Sequence, residues 1–190
     1  MKGRLIVIEG LDGVGKTTLA GRLSSALDAT LLSTPDASLR DVRGAVDRLY
    51  QGFPNAAHLF YASSVAYASS VAARETARGR DVVMDRYWLS TWTYGAERGT
   101  LLSLAELEAT LLPAHFTFLL TLDEHVRIER IRARGATTAD QATFDPQQAA
   151  VLSNRYQSGL SRPIAGRACL LDVTGWSEET CVAEVIAAIS

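Results

Sequence analysis

The sequence predicts an α/β fold, a five-stranded parallel sheet between helices in three layers. Three observations predict it. Short apolar runs alternate with longer segments of helical period from end to end. The runs are rich in Val, Ile, Leu and Phe and mostly lack polar alternation, as strands covered on both faces do. The first run leads directly into a glycine-rich turn and a helical pattern, "VIEGLDGVGKTTLAGRL" at 7–23, the opening of a right-handed parallel crossover.

Taken in order, "RLIVIEG" (4–10) is the first strand candidate, and 16–27 has helical period behind the turn. "TLLST" (30–34) is the second strand, followed by helical segments at 38–51 and 56–78. The small residues of "ASSVAYASSVAA" in the latter permit close helix packing. "DVVMDRY" (81–87) is the third strand, 103–112 a helix, "HFTFLLTL" (115–122) the fourth strand and 124–134 a helix. "RGATTADQATFDP" (134–146) is polar without apolar periodicity and reads as a surface or lid-like loop. A helix over 145–160 leads to the fifth strand, "ACLLDVT" (168–174). Ser177 then N-caps a helix to 189, ahead of acidic residues that suit its positive end.

The 190 residues suit one domain spanning the whole chain. A composition of 47% hydrophobic and 21% charged residues is that of a soluble globular protein. The net charge of −2 gives no basic field for nucleic acid, so any cation facing a phosphate must be placed locally. The apolar run before Glu9 is too short for a signal peptide, and no stretch approaches a membrane span, so the reading is cytoplasmic with no membrane partner. Cys169 and Cys181 form neither a disulfide framework nor a zinc pattern and are expected as buried reduced thiols.

Gly10, Gly15, Lys16 and Thr17 satisfy G-x-x-x-x-G-K-[ST] between a strand and a helix, the context that a P-loop requires. Glycines, Gly13 among them, let successive N–H groups curl around an anion, and the following helix adds the positive end of its dipole. Lys16 is expected on the β- and γ-phosphates and the Thr17 hydroxyl on Mg²⁺, with Thr18 completing the ATP-binding set. The donor is therefore a nucleoside triphosphate, with ATP expected, and the loop by itself suits a kinase and a hydrolytic switch equally. Asp12 lies within this loop, where a carboxylate is unfavourable unless it works on a hydroxyl, a cation or a metal-bound water. Asp85 and Arg86 leave the carboxyl end of a buried strand, where open α/β sheets bind ligands. Arg86 can clamp a phosphate or stabilise charge in transfer, and Asp85 can hold a magnesium-bound water or orient Arg86. The same Asp-Arg pair also suits a structural cap on the strand end.

"EGLDGVGKTT" (9–18) resembles the P-loop of the thymidylate kinase family, in which the loop carboxylate faces the acceptor sugar. "RGRDVVMDRYWLSTWTYG" (78–95) resembles that family's Asp-Arg-Tyr strand end followed by a Ser and a Tyr-Gly, which implies Arg86, Thr91 and Tyr94 on the acceptor. "LDEHVRIERIRARG" (122–135) resembles the helix before the lid, which implies Arg130 and Arg134 on adenine or the moving phosphoryl. Those two, with Arg127, Glu129 and Arg132, equally suit a solvated charged face. "LLDVTGWSEETCVAEVIAAI" (170–189) matches the closing strand and helix. The resemblance implies a nucleoside monophosphate kinase fold, catalytic roles for Asp12, Lys16, Asp85, Arg86 and Arg134, and metal contacts at Thr17 and Asp85. It also implies a homodimer through the helices flanking the acceptor site.

Three departures bear on the acceptor. "STPDASL" (33–39) has Asp36 and Ala37 beside Pro35 where the family holds the monophosphate with an arginine, leaving Arg40 or Arg43 to compensate. "HLFYASSVAYASS" (58–70) keeps the stacking Phe60 but has Ser64 where an arginine reads the thymine carbonyl. Losing that charge-assisted contact is worth about 1.5–3 kcal/mol of base discrimination. Phe60 and Tyr61 also suit ordinary core packing. "GATTADQATFD" (135–145) lacks lid arginines, so either Arg130 and Arg134 carry the transfer alone or an arginine arrives from elsewhere. Trp88 and Trp92 either narrow the acceptor pocket or pack. The expected function is ATP-dependent phosphorylation of a nucleoside monophosphate, thymidylate by default. Two alternatives stand beside it: a P-loop kinase for a modified nucleoside or other hydroxylated metabolite, and a non-catalytic nucleotide binder.

Overall fold

The computed structural model describes residues 2–136, 140 and 143–190; the side chains of Arg40 and Asp41 lie outside that description. Five strands alternate with helices: β1 (Leu5–Gly10), α1 (Lys16–Ala26), β2 (Thr30–Ser33), α2 (Arg40–Leu49), α3 (Pro54–Ala77), β3 (Val82–Asp85), α4 (Trp88–Glu97), α5 (Ala105–Thr110), β4 (Phe116–Thr121), α6 (Glu124–Ala133), α7 (Pro146–Gly159), β5 (Arg167–Asp172) and α8 (Glu178–Ile189). All pair in parallel in the order β2-β3-β1-β4-β5.

Alternation of side chains along each strand divides the core into two layers. Leu5 and Val7 of β1 join Val82, Met84 and Leu119 on one face, under Val65, Leu89 and Tyr156 from α3, α4 and α7. Ile6 and Ile8 join Val83, Phe118 and Leu120 on the other, under Leu23 of α1 and Val185 of α8. β1, β3 and most of β4 are buried on both faces, which is why they read as unbroken apolar runs. The edge strands differ from the expectation of double coverage. Leu31 of β2 and Leu170 of β5 are about half exposed, because an edge strand has helices over only part of its surface.

The helix α4 has no counterpart among the expected elements. Its sequence, "WLSTWTYGAE", is aromatic and β-branched, with weak helix propensity. Tertiary contacts form it instead: Trp88, Leu89, Thr91, Thr93 and Gly95 are buried, and the Glu9 carboxylate caps its start from β1. Glu9 Oε1 accepts from the Tyr87 and Ser90 amides at 2.9 and 3.2 Å. Ser177 caps α8 as expected, its hydroxyl accepting from the Thr180 amide at 3.1 Å. The cysteines are free but half-buried rather than buried, since β5 is an edge and α8 an outer helix. Of the lid-like segment 134–146, residues 137–139, 141 and 142 lie outside the described residues.

The register sets Asp85 beside both Ile8 of β1 and Ser33 of β2, so the carboxyl ends of three strands converge where the glycine-rich loop leaves β1. That crevice holds the candidate site.

Candidate active site

The loop between β1 and α1 is shaped by what it packs against. Gly10 has φ +142°, and a Cβ there would stand 2.6 Å from the Leu120 carbonyl. Gly13 has φ +88°, and its Cβ would meet Ile131 at 2.8 Å and the Arg127 carbonyl at 2.9 Å. Both positions exclude a side chain on conformation and on space. The loop delivers Lys16 and Thr17 as the first residues of α1, a helix start with no side-chain cap, where the first-turn N–H groups lack a partner within the helix. Lys16 is 5% exposed, and its Nζ donates to the Leu11 carbonyl at 2.5 Å. Burial, and then the nearby Arg86 cation, bring its ammonium down to about 7.

Thr17 Oγ1 donates to Asp85 Oδ2 at 2.6 Å. The other Asp85 oxygen, Oδ1, is buried and has no hydrogen-bond partner among the described residues. A carboxylate oxygen left so is costly unless a cation or water comes to it. Thr17 and Asp85 thus fit the expected magnesium position. Among the described residues no cluster of three or more His, Cys, Asp and Glu could hold a metal alone, so such an ion would be shared with phosphate oxygens.

Arg86 follows at φ +66°, a left-handed conformation that costs a non-glycine residue on the order of 1–3 kcal/mol. It is held there by its amide, which donates to the Ile8 carbonyl at 3.0 Å, and by Thr34 Oγ1, which donates to its carbonyl at 3.0 Å. The turn aims the guanidinium back over the loop, where it pairs with Asp12. A second guanidinium nitrogen donates to Ser90 Oγ at 3.1 Å and Tyr156 OH at 3.3 Å. Tyr94 OH donates to the other Asp12 oxygen at 3.2 Å. Ser90 Oγ donates to Glu9 Oε2 at 2.6 Å, so the strand-end carboxylate anchors the network.

Burial would raise the Asp12 carboxyl, but Arg86 and Lys16 outweigh it and hold the group below the usual carboxylate range. Burial would lower Arg86, and Asp12 reverses that, so the guanidinium stays charged. Burial pushes Tyr94 and Tyr156 up, and both remain neutral hydroxyls. Burial also raises Glu9, against the opposing pull of Ser90 and Arg86.

Two cavities meet at this cluster. The first, about 820 Å³, is lined by Gly13, Gly15, Lys16, Thr17 and Thr18, and by Arg130 and Arg134 of the opposite wall. Gly10 is not among the described residues lining it and packs against Leu120 of β4. The second, about 510 Å³, is lined by Asp12, Arg86, Thr91 and Tyr94, with Tyr61, Arg43 and Arg98. Asp12, Arg43 and Arg86 line both.

Phe60 and Ser64 are not among the described residues lining either cavity. On α3 the second cavity is walled by Pro54, Ala57 and Tyr61, one face at i, i+3 and i+7. Phe60 sits a step round the helix, edge-on to Tyr61 with centroids 5.3 Å apart, and Ser64 is buried one turn further along. Trp88 is core, and Trp92 packs against it beneath Arg162, 4.9 Å from the ring. The Arg40 side chain lies outside the described residues.

Arg98, Glu9 and Tyr156 escaped the sequence reading as site groups, whereas Arg43 was one of its two candidates for the phosphate cation. Arg98 lies over Tyr61 at 4.8 Å and over Tyr94 at 6.0 Å. Thr91, Tyr94 and Arg98 stand at i, i+3 and i+7, a signal visible only once α4 is known to be a helix. Arg43 lies 5.8 Å from the Tyr61 ring, whose hydroxyl donates to Asp47 at 2.6 Å. Glu9, Ser90 and Tyr156 are ordinary core positions in sequence, and only the fold joins them to Arg86.

Such a site can hold a triphosphate in one arm and a planar anionic ligand in the other, with cations where the arms meet. A family model described as thymidylate kinase matches residues 8–179. The chain is 32% identical over 149 residues to a thymidylate kinase of Akkermansia muciniphila, across 73% of this chain and 71% of that one. It is 36% identical over 143 residues to one of Xanthomonas oryzae pv. oryzae, across 70% of this chain and 62% of that one. The solved thymidylate kinase of Candida albicans superposes with a TM-score of 0.73 at 22% identity, across 99% of this chain and 91% of that one. That of Ehrlichia chaffeensis gives 0.74 at 18%, covering both chains fully, and both likenesses speak to the fold.

Proposed function

The chain belongs to the thymidylate kinase family, and from that premise we propose that it transfers the γ-phosphoryl group of ATP to thymidylate, giving ADP and dTDP. The observation that carries this reading is the meeting of the two cavities at Asp12, Arg43 and Arg86. ATP takes the larger arm, with its phosphates over the loop glycines and Lys16 and its adenine toward Arg130. The acceptor takes the smaller arm, with its phosphate against Arg43 and Arg86 and its sugar near Asp12 and Tyr94. Thr17 and Asp85 would hold Mg²⁺, which would supply charge neutralisation at the phosphates. Lys16, Arg86 and Arg134 then surround the oxygens on which charge spreads, so the chain acts by positioning and charge neutralisation.

The departures at Ala37 and Ser64 raised the alternatives, and the second cavity weakens both. Arg43 supplies a phosphate cation from α2, and Arg98 supplies a base-side cation from α4. The exposed Leu59 and Tyr67, two turns apart on α3, support a homodimer through that helix. No helix among the described residues is long and apolar enough to cross a membrane.

Arg43→Ala and Arg98→Ala test the acceptor assignment. Each is expected to raise the KM for dTMP about tenfold to a hundredfold, the worth of a charged hydrogen bond, while the KM for ATP moves less than about twofold. An unchanged KM for dTMP in both variants removes the acceptor from this cavity.

A further inference from the structure

Helix α6 carries an arginine that lines neither nucleotide cavity. Arg127 belongs to the charged run that sequence alone reads as a solvated face, yet it is 1% exposed. A buried guanidinium has five N–H donors to satisfy, and Arg127 satisfies all five. Nε and one terminal nitrogen form a fork with Glu124, at 2.9 and 2.7 Å. NH1 donates to the backbone carbonyl of Asp12 at 3.0 Å and to Thr143 Oγ1 at 3.2 Å, and NH2 also donates to the Thr143 carbonyl.

These partners lie on three separate parts of the chain. Asp12 is the P-loop carboxylate that pairs with Arg86. Thr143 Oγ1 donates to the Asp140 carbonyl at 2.9 Å, and the Asp140 carboxylate pairs with Arg134 in the donor cavity. The backbone of α6 also touches the loop, since a Cβ on Gly13 would stand 2.9 Å from the Arg127 carbonyl. One buried side chain therefore joins the loop to the segment that fixes Arg134.

We propose that Arg127 is a positioning residue for phosphoryl transfer: it holds the P-loop at Asp12 and, through Thr143 and Asp140, sets Arg134 against the donor cavity. Its three acceptors outside α6 are neutral oxygens, two of them backbone carbonyls, so its cation orients and does not bind substrate. This inference rests on the donor-side reading of Arg134 given above. A displaced Asp12 would carry Arg86 with it, so both transfer cations depend on the same clamp.

Arg127→Met keeps much of the side chain's length and apolar contact and removes every donor. At saturating ATP and dTMP its kcat is expected to fall at least about tenfold, with both KM values within about threefold, because ground-state contacts remain. Arg127→Lys restores part of that loss, since an ammonium reaches some of the same acceptors. In a double-mutant cycle, Arg134→Ala costs much less in the Arg127→Met background than in the wild type. Additive losses, or a wild-type kcat in Arg127→Met, overturn the proposal. Should that variant not fold, Thr143→Val removes the hydroxyl that joins Arg127 to Asp140, leaves the Asp12 contact in place, and is expected to show the same non-additivity with Arg134→Ala; additivity there overturns it equally.

Amide hydrogen exchange supplies a readout that needs no acceptor. In Arg127→Met, peptides covering Leu11–Lys16 and Thr143–Ala149 are expected to exchange faster together, with β5 unchanged; in Thr143→Val, which keeps the Asp12 contact, only the Thr143–Ala149 peptide is expected to exchange faster. In Arg127→Met, faster exchange in only one of the two peptides, or in neither, refutes the clamp; in Thr143→Val, an unchanged Thr143–Ala149 peptide refutes it. A wild-type chain that forms no dTDP refutes the proposed function instead and leaves the exchange result to decide the clamp.

Discussion

Lys16 is a cation buried where only an anion justifies it. Its ammonium is lowered to about 7 from the ordinary 10.5, by burial first and Arg86 second. Below pH 7 it is protonated folded and unfolded alike, and its burial penalty is constant. Between pH 7 and 10.5 the unfolded chain binds more protons, so this group's contribution to stability rises with pH. A bound triphosphate favours the charged form, so ATP binding at pH 8 is expected to draw about one proton from solvent. Calorimetry in two buffers of different ionisation heat measures that uptake, and Lys16→Met should abolish it. No uptake by the wild type at pH 8 contradicts the buried-cation account. Lys16 and Thr17 were legible because the glycine-rich motif fixes their chemistry at fixed spacing, and Asp85 because it ends a buried strand. Arg127 was not, because alternation of charges on a helix says nothing about which one turns inward.

At the scale of elements, α4 lines the second cavity with Thr91 and Tyr94 and was the element least visible in sequence. Its aromatic and β-branched residues mask helical period, and its N-terminus is capped by Glu9 from another strand rather than by a neighbour in sequence. Without α4, Thr91, Tyr94 and Arg98 cannot be seen as one face. Phe60 and Ser64 illustrate the same limit: the helix was correctly expected, but its rotation, which brings Ala57 and Tyr61 to the cavity, is set by packing. Gly95 shows how tight that packing is, since a Cβ there would stand 2.1 Å from His58 Nδ1. Gly95→Ala is therefore expected to cost about 1–3 kcal/mol through overpacking, read as a fall in thermal midpoint. Because Tyr94 and Arg98 flank Gly95, the KM for dTMP should rise as well. An unchanged midpoint and KM would show that α3 and α4 accommodate the methyl freely.

For the whole molecule, the sheet order explains why one glycine-rich turn organises the site. With β1 between β3 and β4, the loop leaves the sheet beside the Asp85–Arg86 turn, and both cavities are lined by Asp12 and Arg86 there. The five strands and their parallel sense were legible from apolar runs alone. Which strands form the edges was not, and neither was the convergence of Glu9, Ser90 and Tyr156 on Arg86, since both depend on contacts across most of the chain. The central claim is that ATP and thymidylate react across Asp12 and Arg86. Initial rates of ADP and dTDP formation from ATP and Mg²⁺, with dTMP against AMP, CMP, GMP and dUMP, test it most directly. The account predicts dTMP as the preferred acceptor, with one dTDP formed per ADP. Turnover of another monophosphate in preference to dTMP, or ADP formation with no dTDP, would contradict it.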